Sequence, residues 1–277
     1  MLREDLVEHV LARLGFASRP EPSHATLAAI YEKWCRHVPF DNLRKLIHVR
    51  AGDPGTLPGD SPAEFFEAWL RHGVGGTCWA GNGALCELLL ALGFDARRAA
   101  ATMLVAPNLP PNHGSVVVHL PEGPFVVDAS ILFVVPLPMR AGAAIEHPAW
   151  GVTTRLVDDR FTVRWLALQL DDRLDCRFDR FAETAASFSN FHEATRAWSP
   201  FNYEIHVNLV RGDGRIAACH SEKVTVDGEG TVRRVAISGE SRKRFLVDEV
   251  GISEEIADRL PADLPVPPPP GSRTAAR

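Results

Sequence analysis

The 277-residue sequence has only five cysteines, at positions 35, 78, 86, 176 and 219, and no two of them form a Cys-x-x-Cys pair. An odd, scattered set argues against a disulfide framework and against a zinc site, and predicts reduced thiols. No apolar run approaches the length of a membrane span. The opening Met1-Leu2-Arg3-Glu4-Asp5-Leu6 is charged and helical in pattern, unlike a secretory leader. These features predict a cytoplasmic protein. A basic excess is also missing: the formal charge is −5, which gives no pointer to nucleic acid or to an anionic membrane surface as partner. There is no internal repeat. What is present is 45% hydrophobic and 23% charged residues, the balance of a globular chain, at a length fitting one large domain or two to three small ones.

The patterning falls into three blocks. The first is helical: Arg3–Leu14 with Val7, Val10 and Leu11 on one face, and Thr26–Cys35 with Leu27, Ile30, Tyr31 and Trp34. A loop, 37–43, is pinned by Pro39. Ser61-Pro62-Ala63-Glu64 reads as a capping box opening a helix that stops at Gly73. The second block reads as strands over 99–105, 113–120, 124–127 and 161–170, with a long loop over 136–151 and a polar, partly helical stretch over 181–195. The third has strands from Tyr203, around Lys223–Asp227 and Val232–Ile237, then a short helix over 253–260. Proline-rich residues 263–277 read as a mobile tail. The order predicts an α+β chain: helical block 1–92, β block 93–200, smaller mixed block 201–262.

The stretch Gly75-Gly76-Thr77-Cys78-Trp79-Ala80-Gly81-Asn82 runs straight into an apolar helix, with Leu85, Leu88, Leu89 and Leu92 at helical spacing. Cys78 therefore sits at a helix N-terminus, where unpaired N–H groups and the helix dipole favour an anionic sulfur, the nucleophilic form of cysteine. Gly75 and Gly76 allow a close backbone approach or a positive φ there. The plain alternative is a small apolar side chain plugging a helix end. Cys35, Cys86, Cys176 and Cys219 read as structural.

A thiol nucleophile needs a base within reach, and the base needs an orienting acceptor. If 113–120 and 124–128 pair as a hairpin, alternation puts His113 and Asp128 on one face, with His119. A turn centred on Glu122-Gly123 sets Asp128 opposite Val117 and nearer His119; a longer loop favours His113. Parity alone leaves both histidines open, and such a pair also serves structural roles.

Together these residues resemble the arylamine N-acetyltransferase family over roughly 1–260. Val38-Pro39-Phe40-Asp41-Asn42-Leu43 is similar to its Pro-Phe-Glu-Asn-Leu segment, and 75–82 to its Gly-Gly-x-Cys-Phe-Glu-x-Asn turn. Asn112-His113 precedes a strand as in that family, Phe125-Val126-Val127-Asp128 matches its aspartate strand, and Asn190-Phe191 through Trp198-Ser199-Pro200-Phe201 is similar to its passage into a third domain. The family's histidine and aspartate lie fifteen residues apart, as His113 and Asp128 do, which selects His113 over His119. The resemblance implies a helical bundle, a β-barrel and an α/β lid with a papain-like Cys78, His113, Asp128 triad. It implies acetyl-CoA as acyl donor, an arylamine or arylhydrazine as acceptor, no metal, and Phe40 lining the amine pocket. Two departures stand out. Ala80 replaces an acidic residue, and Asp128-Ala129-Ser130-Ile131-Leu132 replaces Asp-Val-Gly-Phe-Gly. Ser130 and Leu132 then add side chains where the pantetheine arm of the cofactor passes. That motivates an alternative of the same fold, an amide synthase fed by a carrier-bound acyl thioester.

Overall fold

The computed structural model describes residues 2–105, 109–170 and 172–268. Four helices build the first part around one apolar cluster: α1 (Glu4–Arg13), α2 (His24–His37), α4 (Pro62–His72) and α5 (Cys78–Ala91). Between α2 and α4 lie the two-residue strand β1 (Phe40–Asp41) and helix α3 (Leu43–Arg50). Large rings fill the bundle centre. Trp34 stacks on Phe65 and meets Phe66 edge-on, and the Trp69 indole donates to the His37 carbonyl at 2.9 Å.

The Ser61/Glu64 capping box does not form. Ser61 precedes α4 without a side-chain cap bond, and Glu64 instead accepts from the Gly59 N–H and pairs with Arg44. Pro62 at the first helical position and Gly73 in the left-handed conformation at the end do bound α4 as expected. Helix α5 is buried on nearly every side from Cys78 to Leu89, beyond the single stripe that the spacing suggests, because it is sandwiched between the bundle and the next layer.

That layer is an antiparallel eight-stranded sheet, nearly closed into a barrel. Its strands are β2 (Asp95–Met103), β3 (His113–Leu120), β4 (Gly123–Val127), β5 (Leu137–Pro138), β6 (Ala144–Ile145), β7 (Val152–Val157), β8 (Arg160–Ala167) and β9 (Asp172–Glu183), in spatial order β5-β4-β3-β2-β9-β8-β7-β6. The chain between the two edge strands reaches across, with Gly142 N–H donating to Thr154 O and the Thr154 hydroxyl to Arg140 O. The loop expected over 136–151 thus carries two short strands, and the start of the 181–195 stretch is the end of β9. The polar face of β9 suits a strand because cross-strand charges neutralise it: Asp175 with Arg155, Asp179 with Arg160.

After α6 (Ala185–Ala194) comes a second antiparallel sheet, formed by β10 (Val207–Arg211), β11 (Gly214–Cys219), β12 (Glu222–Val226) and β13 (Val232–Ala236), in the order β1-β10-β11-β12-β13. β1 therefore leaves the bundle to edge this sheet, and Leu43 and Leu46 of α3 share its apolar cluster with Phe245 and Leu246. Helix α7 (Gly239–Arg244), a π turn over Phe245–Val250 and α8 (Glu254–Ala257) complete this layer. Of the proline-rich end, Asp263 accepts from Ile205 N–H, Leu264 N–H donates to Tyr203 O and Pro267 O accepts from the Trp198 indole. Residues 269–277 of the expected tail lie outside the described residues.

One buried phenol ties bundle to barrel. The Tyr31 hydroxyl donates to Asp128 O at 2.9 Å and accepts from Phe133 N–H at 3.2 Å. Tyr31→Phe leaves the Phe133 N–H without its partner and removes one of two donors to Asp128 O, which keeps the Leu132 N–H at 3.3 Å, a cost of about 1–3 kcal/mol. The expected result is a thermal midpoint lowered by several degrees with unchanged far-UV circular dichroism; an unchanged midpoint contradicts this role.

Candidate active site

Local chemistry fixes the turn before α5. The Asp41 carboxylate accepts from Gly75 N–H at 2.6 Å and from Leu43 N–H at 3.0 Å, and Asp41 N–H donates to Gly76 O. Phe40 and Gly76 form a parallel bridge. A Cβ on Gly75 would sit 1.8 Å from Pro39 O, so this glycine serves close approach; neither Gly75 nor Gly76 has a positive φ. Burial lifts the Asp41 carboxyl to about 6 against those two N–H bonds.

Cys78 is then the first residue of α5, only 7% exposed. Its sulfur lies 3.9 Å from Asn112 O, and it favours the charged form of the neighbouring His113 imidazole. On the far side of that ring, Nε2 meets Asp128 Oδ2 at 2.8 Å. The other carboxylate oxygen, Oδ1, accepts from Ser130 N–H at 2.9 Å and Ile131 N–H at 3.0 Å. Cys78, His113 and Asp128 are thus brought together, and His119 is not. It stands exposed at the sheet rim, 4.0 Å from Asp95. The hairpin explains the choice. Leu120 pairs with Gly123, so the turn is Pro121-Glu122, one residue earlier than the turn weighed from the sequence. Val116 pairs with Val127, which sets Asp128 opposite Ser115 and diagonal to His113 on the same face.

Electrostatics follow from burial and pairing. Burial works against a charged imidazole, but the Asp128 carboxylate and then the Cys78 sulfur outweigh it and push His113 from 6.5 up to about 10. Burial likewise opposes the Asp128 charge, and His113 with the Ile131 N–H outweighs it and holds that carboxyl down. The remaining thiols differ. Burial pushes Cys35 up to about 12 and Cys86 to about 11, and it raises Cys176 and Cys219 as well. All five cysteines are unpaired.

Asn82 is the residue that sequence reading passed over as part of a motif. Fully buried, its amide donates to Cys78 O at 3.1 Å and to Gly114 O at 2.6 Å, and its carbonyl accepts from Ala129 N–H at 2.9 Å. One side chain therefore fastens the Cys78 turn to the strand of His113 and to the residue after Asp128. Its place four residues beyond Cys78, on one face of α5, was the available signal.

The other expected residues lie nearby. Phe40 is half-buried, edge-on to Phe201 at 5.4 Å. The Ser130 hydroxyl is buried without a hydrogen-bond partner. Leu132 is fully buried in the main core at φ +59, a left-handed conformation rare for leucine. Trp79, Phe188 and Phe191 roof the thiol, with Trp79 stacked on Phe191 at 4.8 Å. Among the described residues no cluster of three or more His, Cys, Asp or Glu could hold a metal, and no helix is long and apolar enough to cross a membrane.

Helical bundle, nearly closed eight-stranded barrel-like sheet and a buried thiol at their junction define a mixed helix-and-sheet class with a thiol site. The chain belongs to the N-acetyltransferase family, whose model matches residues 23–257. It is 30% identical over 125 residues to an arylamine N-acetyltransferase of Mycolicibacterium smegmatis, a match that spans 43% of this chain and 43% of that relative. Solved arylamine N-acetyltransferases share the fold. That of M. smegmatis has a TM-score of 0.77 at 20% identity, over 91% of this chain and 96% of that one. That of Salmonella typhimurium has 0.78 at 17%, over 93% and 98%. That of Mycobacterium marinum in complex with CoA has 0.78 at 18%, over 91% and 94%.

The sign of the pH dependence follows from His113. Its folded value stands above the unfolded one, so the stabilisation from its pairing with Asp128 is complete below about 6.5 and is lost as pH rises to about 10. The urea midpoint of Asp128→Asn should therefore fall furthest below wild type near pH 6 and approach it progressively toward pH 10. A gap independent of pH contradicts the ion pair.

Proposed function

We propose that the protein transfers an acetyl group from acetyl-CoA to an arylamine or arylhydrazine, by a ping-pong route through an acetylated Cys78. The observation that carries this reading is the placement of Cys78 at the first position of α5 beside His113, whose ring Asp128 holds through Nε2 at 2.8 Å. The CoA complex of the M. marinum relative supports the donor.

The Cys78 proton resides on His113, giving a thiolate–imidazolium pair with Asp128 holding the ring through Nε2. The sulfur attacks the thioester carbonyl. The new S–C bond forms, the bond to the CoA sulfur breaks, and His113 returns its proton to that sulfur as CoA leaves. The amine nitrogen then attacks acetyl-Cys78, neutral His113 accepts its proton, and the product departs with the ion pair restored. Arylamines are neutral at pH 7, so no ammonium has to be deprotonated first. Phe40 with Phe201 forms the apolar wall against which the aryl ring stacks. The Ser130 hydroxyl, buried and unpartnered, is the group free to bond the donor's pantetheine amides. The alternative, an amide synthase of the same fold, is motivated by the side chains that Ser130 and Leu132 add after Asp128; the packing of Leu132 into the core supports the acetyl-CoA reading over it.

Initial rates at varied acetyl-CoA and aniline-type acceptor should give parallel double-reciprocal lines. Cys78→Ser and His113→Asn should each lower kcat/KM by at least about a thousandfold. Intersecting lines, or a Cys78→Ser variant near wild-type activity, contradict the covalent route.

A further inference from the structure

Lys45 is 3% exposed, although lysine is among the side chains least often buried without a partner. It lies in the first turn of α3, and β1 just before it is bridged to Gly76, two residues from Cys78. That bridge lays the start of α3 alongside the nucleophile turn. On its other side stands the end of α6. Among the described residues the Lys45 ammonium has one hydrogen bond, a long one of 3.5 Å to Thr195 O, and the Asn202 amide already donates to that carbonyl at 3.0 Å.

Few charged groups act on the ammonium. From α6 come Glu193, already paired with Arg196, and His192, which burial and then Lys45 hold down at about 4 and thus neutral. Arg196 follows α6 and repels it. From α5 comes the Cys78 sulfur, the largest attraction acting on the Lys45 charge. No carboxylate among the described residues lies within ion-pair distance of it. A buried ammonium lacking an ion-pair partner is costly.

We propose that Lys45 is a positioning residue of the thiol site, its ammonium the second counter-charge that, with His113, favours the anionic sulfur of Cys78. The proposal rests on the acyl-transfer reading above. Burial depresses Lys45 to about 7, so it carries its charge below neutrality and loses it above. Its influence on the sulfur is therefore confined to the acid side.

The test is the rate at which iodoacetamide alkylates Cys78, followed by intact mass from about pH 6 to about pH 9. The wild type, Lys45→Met and Lys45→Arg are compared. Lys45→Met should react about fivefold more slowly near pH 6 and converge on wild type above about pH 8, where wild-type Lys45 is neutral too. Lys45→Arg should keep the faster rate across the range. Lys45→Met should also melt no lower than wild type near pH 6, because it removes a buried charge, and that advantage should shrink as pH rises toward 10.5. Equal rates at pH 6, or slowing by one constant factor at every pH, overturn the role of Lys45 while leaving acyl transfer standing. A wild-type Cys78 that does not react overturns both.

Discussion

Everything at this site depends on one buried amide. Asn82 spends both donors and its acceptor on backbone groups of three separate segments: the first turn of α5, the strand that begins with His113, and the residue after Asp128. A buried carboxamide is costly unless its groups are paired, and here the pairing can be completed only when bundle and barrel dock in one geometry. Stability and the alignment of sulfur, imidazole and carboxylate are consequently one requirement. Tyr31 repeats the logic from the opposite side, reaching from α2 to the carbonyl of Asp128 itself.

The same burial that makes polar groups expensive sorts the five thiols. Burial raises the other four, and Cys78 stands at the first position of a helix beside the His113 imidazole. Site chemistry is therefore local, though its scaffold draws on the whole chain. The 75–78 turn hangs on Asp41, α3 carries Lys45, and both segments belong to the edge of a sheet built mostly from residues beyond 206. Family membership accords with this layout. Leu132, a departure from the family's motif, is absorbed by turning into the core at a φ that would suit glycine better.

Much of this was legible in the sequence where a local rule decides the outcome. Helical spacing located α5 and put Cys78 at its start, and strand alternation placed His113 and Asp128 on one face. Parity could not choose between His113 and His119, since Pro121-Glu122-Gly123-Pro124 offers two turn positions a residue apart; the register seen, with Leu120 opposite Gly123, decides it. Strand β9 was hidden because its charged residues are neutralised by Arg155 of β7 and Arg160 of β8, partners that a single-strand reading does not see. Helix α3 was hidden by its shortness, and its buried face is covered by elements some 160 residues away. The Ser61/Glu64 capping box failed because Gly59 and Arg44 compete for Glu64. Lys45 was invisible as a functional candidate, because its significance lies in long-range partners, and Asn82 was signalled only by its place four residues beyond Cys78.

The central claim is that Cys78 carries the acyl group, and the most direct measurement is intact mass after mixing the protein with acetyl-CoA and no amine, beside Cys78→Ala. The account requires one acetyl adduct on the wild type, none on the variant, and its disappearance when an arylamine is added. No adduct on a wild-type protein whose Cys78 is still rapidly alkylated by iodoacetamide would contradict acetyl-CoA as donor. An adduct that persists in Cys78→Ala would contradict the nucleophile itself.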